Sequence, residues 1–261
     1  MSAISAVGSS YGGSYSKYYG QIASGSKLNR AADGAAELAI ANKMQVEDTG
    51  MQVGSNNLKA GMAAVNIQDG ALGQVTDSLQ RMRELAVQAS NGLLSDSDRS
   101  SIQGEIDQLK QGLTDVVTKT NYNGLNLTDG TLGETTLVGD ADGSTMALHG
   151  ANATLEALGI ADFDVTSGNF DLSQIDKALD TVSAQRSQSG AAYNAYERAV
   201  NYNANASYNL TSAKSKMEDT DIGETISKLK KQQTLNTYSM YMQRRRQEDE
   251  QKRMLGMFAN M

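Results

Sequence analysis

The chain has 261 residues, no proline, no cysteine and a formal net charge of −7. The absence of cysteine excludes disulfides, thiol catalysis and cysteine metal sites, and the net negative charge argues against general nucleic-acid binding. No stretch of about 18 consecutive apolar residues occurs, so the sequence also predicts no membrane insertion.

Residues 1–26 are rich in glycine, serine and tyrosine. This composition predicts poor helicity for the segment. It also lacks the basic start and apolar centre of a cleaved signal peptide, so we expect any export to use another route.

An apolar residue occupies every seventh position of the next segment. A strict seven-residue repeat predicts a long helix with one continuous buried seam, placed at about 42–90. At 1.5 Å per residue the repeat spans about 65 Å, so other long helices must cover it. We expect another backbone to approach closely at its interior glycines, Gly61, Gly70 and Gly73. The repeat consists of Met44, Met51, Leu58, Val65, Leu72, Leu79 and Ala86.

Turn signals then separate shorter elements. Asn91-Gly92 ends the long helix, and Ser95 is an N-cap for a second helix. Asn123-Gly124 is a strong turn signal. The second helix has an apolar stripe at alternating spacings of four and three residues: Ile102, Ile106, Leu109, Leu113 and Val116.

Residues 132–170 form the one region where the sequence predicts β structure, with a hairpin around Asp142-Gly143. Phe163, Val165 and Phe170 indicate a further short extended piece. From Leu172 a helical pattern returns and continues to a break near 217–220. Its seam is less apolar, and polar seam residues can fix the register of a helix pair: Arg186, Ser189, Asn203, Ser207 and Lys214.

A last helical stretch ends in a densely charged segment, 244–253. The predicted fold class is therefore mainly α: a long antiparallel coiled-coil or helical-bundle rod, built from the N- and C-terminal halves, with a small β-hairpin region in the middle.

Several blocks of this sequence resemble bacterial flagellin. They are KLNRAADGAAELAIANKM (27–44), IQDGALGQVTDSLQRMRELAVQASNG (67–92), SIQGEIDQL (101–109), NYNGLNLTDG (121–130) and SAKSKMEDTDIGE (212–224). Because about 40 residues separate the two halves, the resemblance implies a short flagellin without the large variable outer domains.

The resemblance implies a structural subunit that polymerises into the flagellar filament for motility. Residues 1–43 and 221–261 correspond to an inner-tube terminal domain that becomes ordered on assembly, and 44–220 to a rod-like domain. The implied location is extracellular, in the flagellum, reached without a cleaved signal peptide. The implied partners are further copies of the chain, an export chaperone, and the filament cap and hook-junction proteins.

The two ends depart from the family pattern, because residues 1–26 are polar and 244–253 are charged where flagellins are usually apolar. The charges pair within a subunit or between subunits, or face a wet lumen. These departures favour a second hypothesis: a minor flagellin relative, such as a hook–filament junction protein, or a secreted monomer that acts as a host-receptor ligand.

The resemblance also implies recognition by the innate immune receptor Toll-like receptor 5. The corresponding residues here are Arg81, Leu85, Gln88 and Glu105, and we interpret an exposed arginine beside an exposed leucine as a binding hot spot. The alternative interpretation is an ordinary solvated helix face.

Nothing in the sequence predicts catalysis, a metal site or a cofactor. Motifs for a zinc protease, a nucleophile elbow, a phosphate-binding loop or a dinucleotide site are missing. His149 stands alone, and the acidic turn Asp140–Asp142 lacks the ligand order of a calcium loop. The expected class is a structural protein rather than an enzyme.

Overall fold

The computed structural model describes residues 15–259, with side chains described through Leu255. Expectations for 1–14 and 260–261 lie outside the described residues. The described residues divide into two compact units. We call Val46–Tyr208 the central unit, and the described residues on either side of it the terminal unit.

Long helices dominate both units, and the mainly α prediction is confirmed. The helices are α1 (15–24), α2 (Ala35–Ala89), α3 (Asp96–Lys119), α4 (Leu155–Leu158), α5 (Ser173–Glu218) and α6 (Ile222–Ala259). Two antiparallel strand pairs lie between α3 and α4: β1 (Asn121–Tyr122) with β2 (Leu125–Asn126), and β3 (Glu134–Val138) with β4 (Thr145–His149).

The seven-residue repeat forms the buried seam of α2, as predicted. Six of its seven members are buried, and Leu58, Leu72 and Leu79 have no exposed surface. The first member, Met44, is half-buried. The helix begins at Ala35 rather than near 42, because the alanine-rich segment before the seven-residue repeat also favours helix.

The second helix, α3, begins where its cap was predicted. The Ser95 hydroxyl accepts a hydrogen bond from the Asp98 amide at 3.2 Å, and the Asp98 carboxylate accepts one from the Ser95 amide at 3.1 Å. This reciprocal capping box satisfies two amides that the helix itself leaves unpaired. Ile106 and Leu113 then pack into the same apolar cluster as Leu79 of α2.

Two β expectations need correction. The strands β1 and β2 lie outside 132–170, because Asn123 (φ 51°) and Gly124 (φ 79°) form a tight turn that pairs the flanking residues. Phe163, Val165 and Phe170 belong to no strand. Phe163 packs edge-to-face on Phe170, with centroids 5.8 Å apart. The hairpin around Asp142-Gly143 is confirmed by the five-residue pairing of β3 with β4.

Polar contacts fix the antiparallel register of α2 against α5 in the central unit. Partner numbers on α5 fall as those on α2 rise, so the two helices run in opposite directions. Asp48 accepts a hydrogen bond from the Ser207 hydroxyl, and the Met51 carbonyl accepts one from Asn203 at 3.5 Å. Farther along, Gln68 donates to Ser189 at 3.1 Å, Asp69 pairs with Arg186 at 2.8 Å and Arg83 pairs with Asp176 at 2.7 Å.

The turn of the β3–β4 hairpin lies directly against α2. A Cβ at Gly54 would stand 2.5 Å from the Gly139 carbonyl oxygen, and the same carbonyl accepts a hydrogen bond from Asn203 at 2.7 Å. The close backbone approaches are therefore at Gly54 and at Gly50, where a Cβ would stand 2.9 Å from Ala141 Cα. The prediction was wrong for Gly70 and Gly73, which have open space around them.

Gly61 is also crowded, but by a side chain instead of backbone. A Cβ there would overlap Leu137 Cδ1. Leu137 lies on β3 and packs against the cluster that contains Leu58 and Tyr196. The missing side chain at Gly61 thus makes room for the hairpin's apolar face.

The terminal unit corrects the expectation of poor helicity near the start. Residues 15–24 are helical, and tertiary contacts offset their weak propensity. Lys17 pairs with Asp33 at 2.8 Å, and Gln21 donates to the Lys27 carbonyl at 3.0 Å. The Lys27 amide donates to the Glu218 carbonyl at 2.7 Å, beside the break between α5 and α6.

We expect Gly54→Ala to destabilise the central unit, because the new methyl group would overlap the Gly139 carbonyl. The expected loss is about 1–3 kcal/mol in the free energy of unfolding, as for other overpacked sites. Gly73→Ala is the matched control on the same helix, and its higher helix propensity should add up to about 1 kcal/mol. Urea unfolding of both variants measures the difference. Equal effects from the two substitutions would contradict the close contact.

Candidate interaction surface on α2 and α3

Arg81 is the centre of a charged surface where α2 and α3 run side by side. Its Nε and Nη2 both donate to one Glu105 carboxylate oxygen, at 2.9 and 2.7 Å, so the two helices are joined by a charged contact. Its Nη1 donates to Glu84, one turn along the same helix, at 3.1 Å. About half of the Arg81 side chain remains exposed.

The two carboxylates also change the acidity of the arginine. The hydrogen bonds from Arg81 to Glu105 and then to Glu84 raise the pKa of the guanidinium above its ordinary value. The cation is therefore fully charged at any physiological pH. Because the pair is exposed, it adds little to folding stability and serves chiefly to hold the guanidinium in place.

The expectation that Leu85 is exposed is wrong. Leu85 is only 2% exposed and belongs to the apolar cluster between α2 and α3. It follows buried Met82 by three residues and precedes buried Ala89 by four, so it lies on the core-facing side of α2. The structure brings Arg81 and Glu105 together at the surface and leaves Gln88 exposed on the same helix, but it removes Leu85 from the surface.

Sequence reasoning missed one member of this charged region. Asp176, in the first turn of α5, accepts a hydrogen bond from Arg83 Nε at 2.7 Å. The antiparallel pairing of α2 with α5 could have predicted the position of Asp176, because the end of α2 must then lie beside the start of α5. Asp176 and Arg83 are each about half exposed, so the charged region reaches from α3 across α2 to α5.

The exposed side chains of this surface are hydrogen-bond donors and acceptors. In the described part of the chain, no group of three or more metal-binding side chains comes together. His149 lies at the end of β4, apart from any such group. No helix in residues 15–259 is both long and apolar enough to span a membrane.

Long antiparallel helices around a shared seam, with a small hairpin between them, define a mainly α fold. Two family models match the sequence: the bacterial flagellin N-terminal helical region over residues 9–132, and the C-terminal helical region over 172–254. The chain belongs to the bacterial flagellin family.

Relatives of similar length support this assignment. The chain is 33% identical to a flagellin of Bacillus subtilis, with 85% of this chain and 86% of the relative covered. It is 31% identical to the flagellar filament 30.7 kDa core protein of Treponema maltophilum, with 85% of each covered. The match along most of both chains agrees with a short flagellin that lacks large outer domains.

A solved structure agrees with the fold. The crystal structure of Bacillus cereus flagellin matches with a TM-score of 0.52 and 27% identity, over 57% of this chain and 88% of that one. The predicted resemblance to flagellin is thus confirmed by sequence and by fold.

Proposed function

We propose that this chain is a filament subunit of the bacterial flagellum and polymerises with copies of itself to support motility. The observation that carries the proposal is the pair of flagellin matches at both ends of one chain. The relative from Treponema maltophilum is described as a flagellar filament core protein, and the shared length makes the same role reasonable here.

Exposed apolar side chains on α6 support polymerisation. Large apolar groups that face water favour association with another surface, and a repeated contact between different faces builds an open polymer. The large apolar side chains that are exposed in the described part of α6 are Ile222, Ile226, Leu235, Tyr238, Met240, Tyr241, Met242, Met254 and Leu255.

The parts of the chain become ordered at different stages, some in the monomer and some in the filament. We infer that 44–220 folds as a rod-like domain in the monomer, while 1–43 and 221–261 gain their stable packing in the filament. We further propose that the chain is exported to the cell exterior without a cleaved signal peptide. An export chaperone binds the exposed C-terminal helix, and cap and hook-junction proteins contact the chain in the flagellum.

We expect the concentrated protein to elongate into uniform long tubes, visible by negative-stain electron microscopy. A chain that ends at Thr220 lacks α6 and is the matched control, which should stay monomeric. Persistent monomers or short rings of the full chain would contradict the filament role. They would favour a hook–filament junction relative or a secreted receptor ligand, for which the charged 244–253 segment is the supporting observation.

We also propose that Arg81, Gln88 and Glu105 contribute to recognition by Toll-like receptor 5. The support is the resemblance at these positions, together with the partly exposed and well-held Arg81 guanidinium. Leu85 does not contribute a direct contact in this proposal, since it packs inside the central unit.

Arg81→Ala should raise the dissociation constant for the receptor ectodomain by about tenfold, as expected for a moderate hot spot. Its melting temperature should hardly change, because the ion pair that it loses is exposed. Arg198→Ala, an exposed arginine on α5, is the control and should bind as the unmodified chain does. A binding titration that finds equal affinity for both variants would refute the role of Arg81.

A further inference from the structure

The segment 244–253 of α6 carries its charges in blocks. Three arginines (244–246) are followed by three acids (248–250) and then by Lys252 and Arg253, with single glutamines between the blocks. The sign of the charge therefore changes every four residues, which is about one turn of an α-helix.

All ten residues of this charge-block segment are exposed. In the described part of the chain, none of its eight charged side chains forms an ion pair, and Arg245 instead donates to the Tyr241 hydroxyl at 3.2 Å. The same guanidinium lies 5.7 Å from the Tyr241 ring centroid. The charges of the segment are thus available to a partner.

The four-residue spacing of the charge blocks would by itself allow ion pairs within the helix. Lys228 pairs with Glu224 on α6 at 2.8 Å, and Lys119 pairs with Asp115 on α3 at 2.8 Å. In both pairs the acid precedes the base by four residues, which is the favourable order on a helix. The three arginines of the segment precede their acids, which is the less favourable order. Glu248 and Asp249 precede Lys252 and Arg253 by four residues in the favourable order, yet in the described part of the chain they form no ion pair with them.

We infer that the charge-block segment is an electrostatic contact between copies of this chain, in which the acidic block of one copy lies against a basic block of another. This inference rests on the proposed polymerisation. An apolar surface would leave the charges unpaired, and burying unpaired charge is costly. A copy of the same segment carries both signs, in an acidic block of three and basic blocks of three and two.

The pattern also selects how two such helices lie together. Neighbouring copies in a straight polymer point in the same direction along its axis. Two parallel segments without an axial shift place like charges side by side, which is repulsive. A shift of four residues, about 6 Å, places arginines against acids and acids against Lys252 and Arg253. The blocks therefore disfavour an unshifted arrangement and contribute to specificity as well as attraction.

Two complementary variants test the contact. The acidic variant carries Arg244→Glu, Arg245→Glu and Arg246→Glu, and the basic variant carries Glu248→Arg, Asp249→Arg and Glu250→Arg. At low ionic strength each variant alone should need a roughly tenfold higher protein concentration to polymerise. That is the effect of a few exposed charge pairs acting together.

An equimolar mixture of the two variants should return the critical concentration to that of the unmodified chain. Mixing restores contacts between chains but cannot restore pairs within one helix, so the mixture separates the two explanations. The restoration should weaken at about 1 M salt, where charges are screened beyond about 3 Å. Sedimentation of the polymer measures each critical concentration.

Two controls complete the test. Arg244→Lys, Arg245→Lys and Arg246→Lys together keep the charge and should polymerise as the unmodified chain does. The second control changes the net charge by the same amount as the acidic variant, but at exposed sites elsewhere: Lys59→Glu, Lys177→Glu and Arg198→Glu. If its critical concentration rises as much as that of the acidic variant, the effect is due to net charge and the inference is overturned.

The remaining outcomes are also decisive. A mixture that polymerises no better than either variant alone would overturn the inference while leaving the filament role intact. Single variants that polymerise as readily as the unmodified chain would do the same. If the unmodified chain itself never polymerises, both the filament role and this contact fall together.

Discussion

The apolar seam of α2 is the constraint on which the rest of the structure depends. A helix of 55 residues with leucines wholly buried along one side needs continuous cover, and each fully buried leucine contributes roughly 1.5–3 kcal/mol through the hydrophobic effect. In the central unit that cover comes from α3, α5, the β3–β4 hairpin and the segment around α4. These elements lie where they do because each buries part of the same seam.

Apolar contacts alone leave two long helices free to slide, because one leucine position resembles the next. The polar residues of α5 remove that freedom. Ser207, Asn203 and Ser189 each have a specific hydrogen-bond partner on α2. A shift by one turn would leave the buried Asn203 and Ser189 side chains unpaired, at about 1–3 kcal/mol each. Asn203 also holds the hairpin turn against Gly54, so one side chain fixes three elements.

Much of this fold was predictable from the sequence, since a seven-residue repeat, a capping box and turn signals are local. The polar seam positions of α5 were also readable, and in the central unit Arg186, Ser189, Asn203 and Ser207 each contact α2. What failed depended on distant packing. Which glycine meets a backbone is decided by the hairpin, and the burial of Leu85 by α3. The charged pair Arg81–Glu105 was foreseen only as two separate positions.

We propose that 44–220 folds stably in the monomer, whereas 1–43 and 221–261 gain their stable packing against other copies. Limited proteolysis of the soluble monomer, read by mass spectrometry, tests this most directly. The account predicts that both ends are trimmed early and that a fragment of about 44–220 persists. Terminal segments as resistant as the centre, or early cleavage within the seam of α2 or α5, would contradict it.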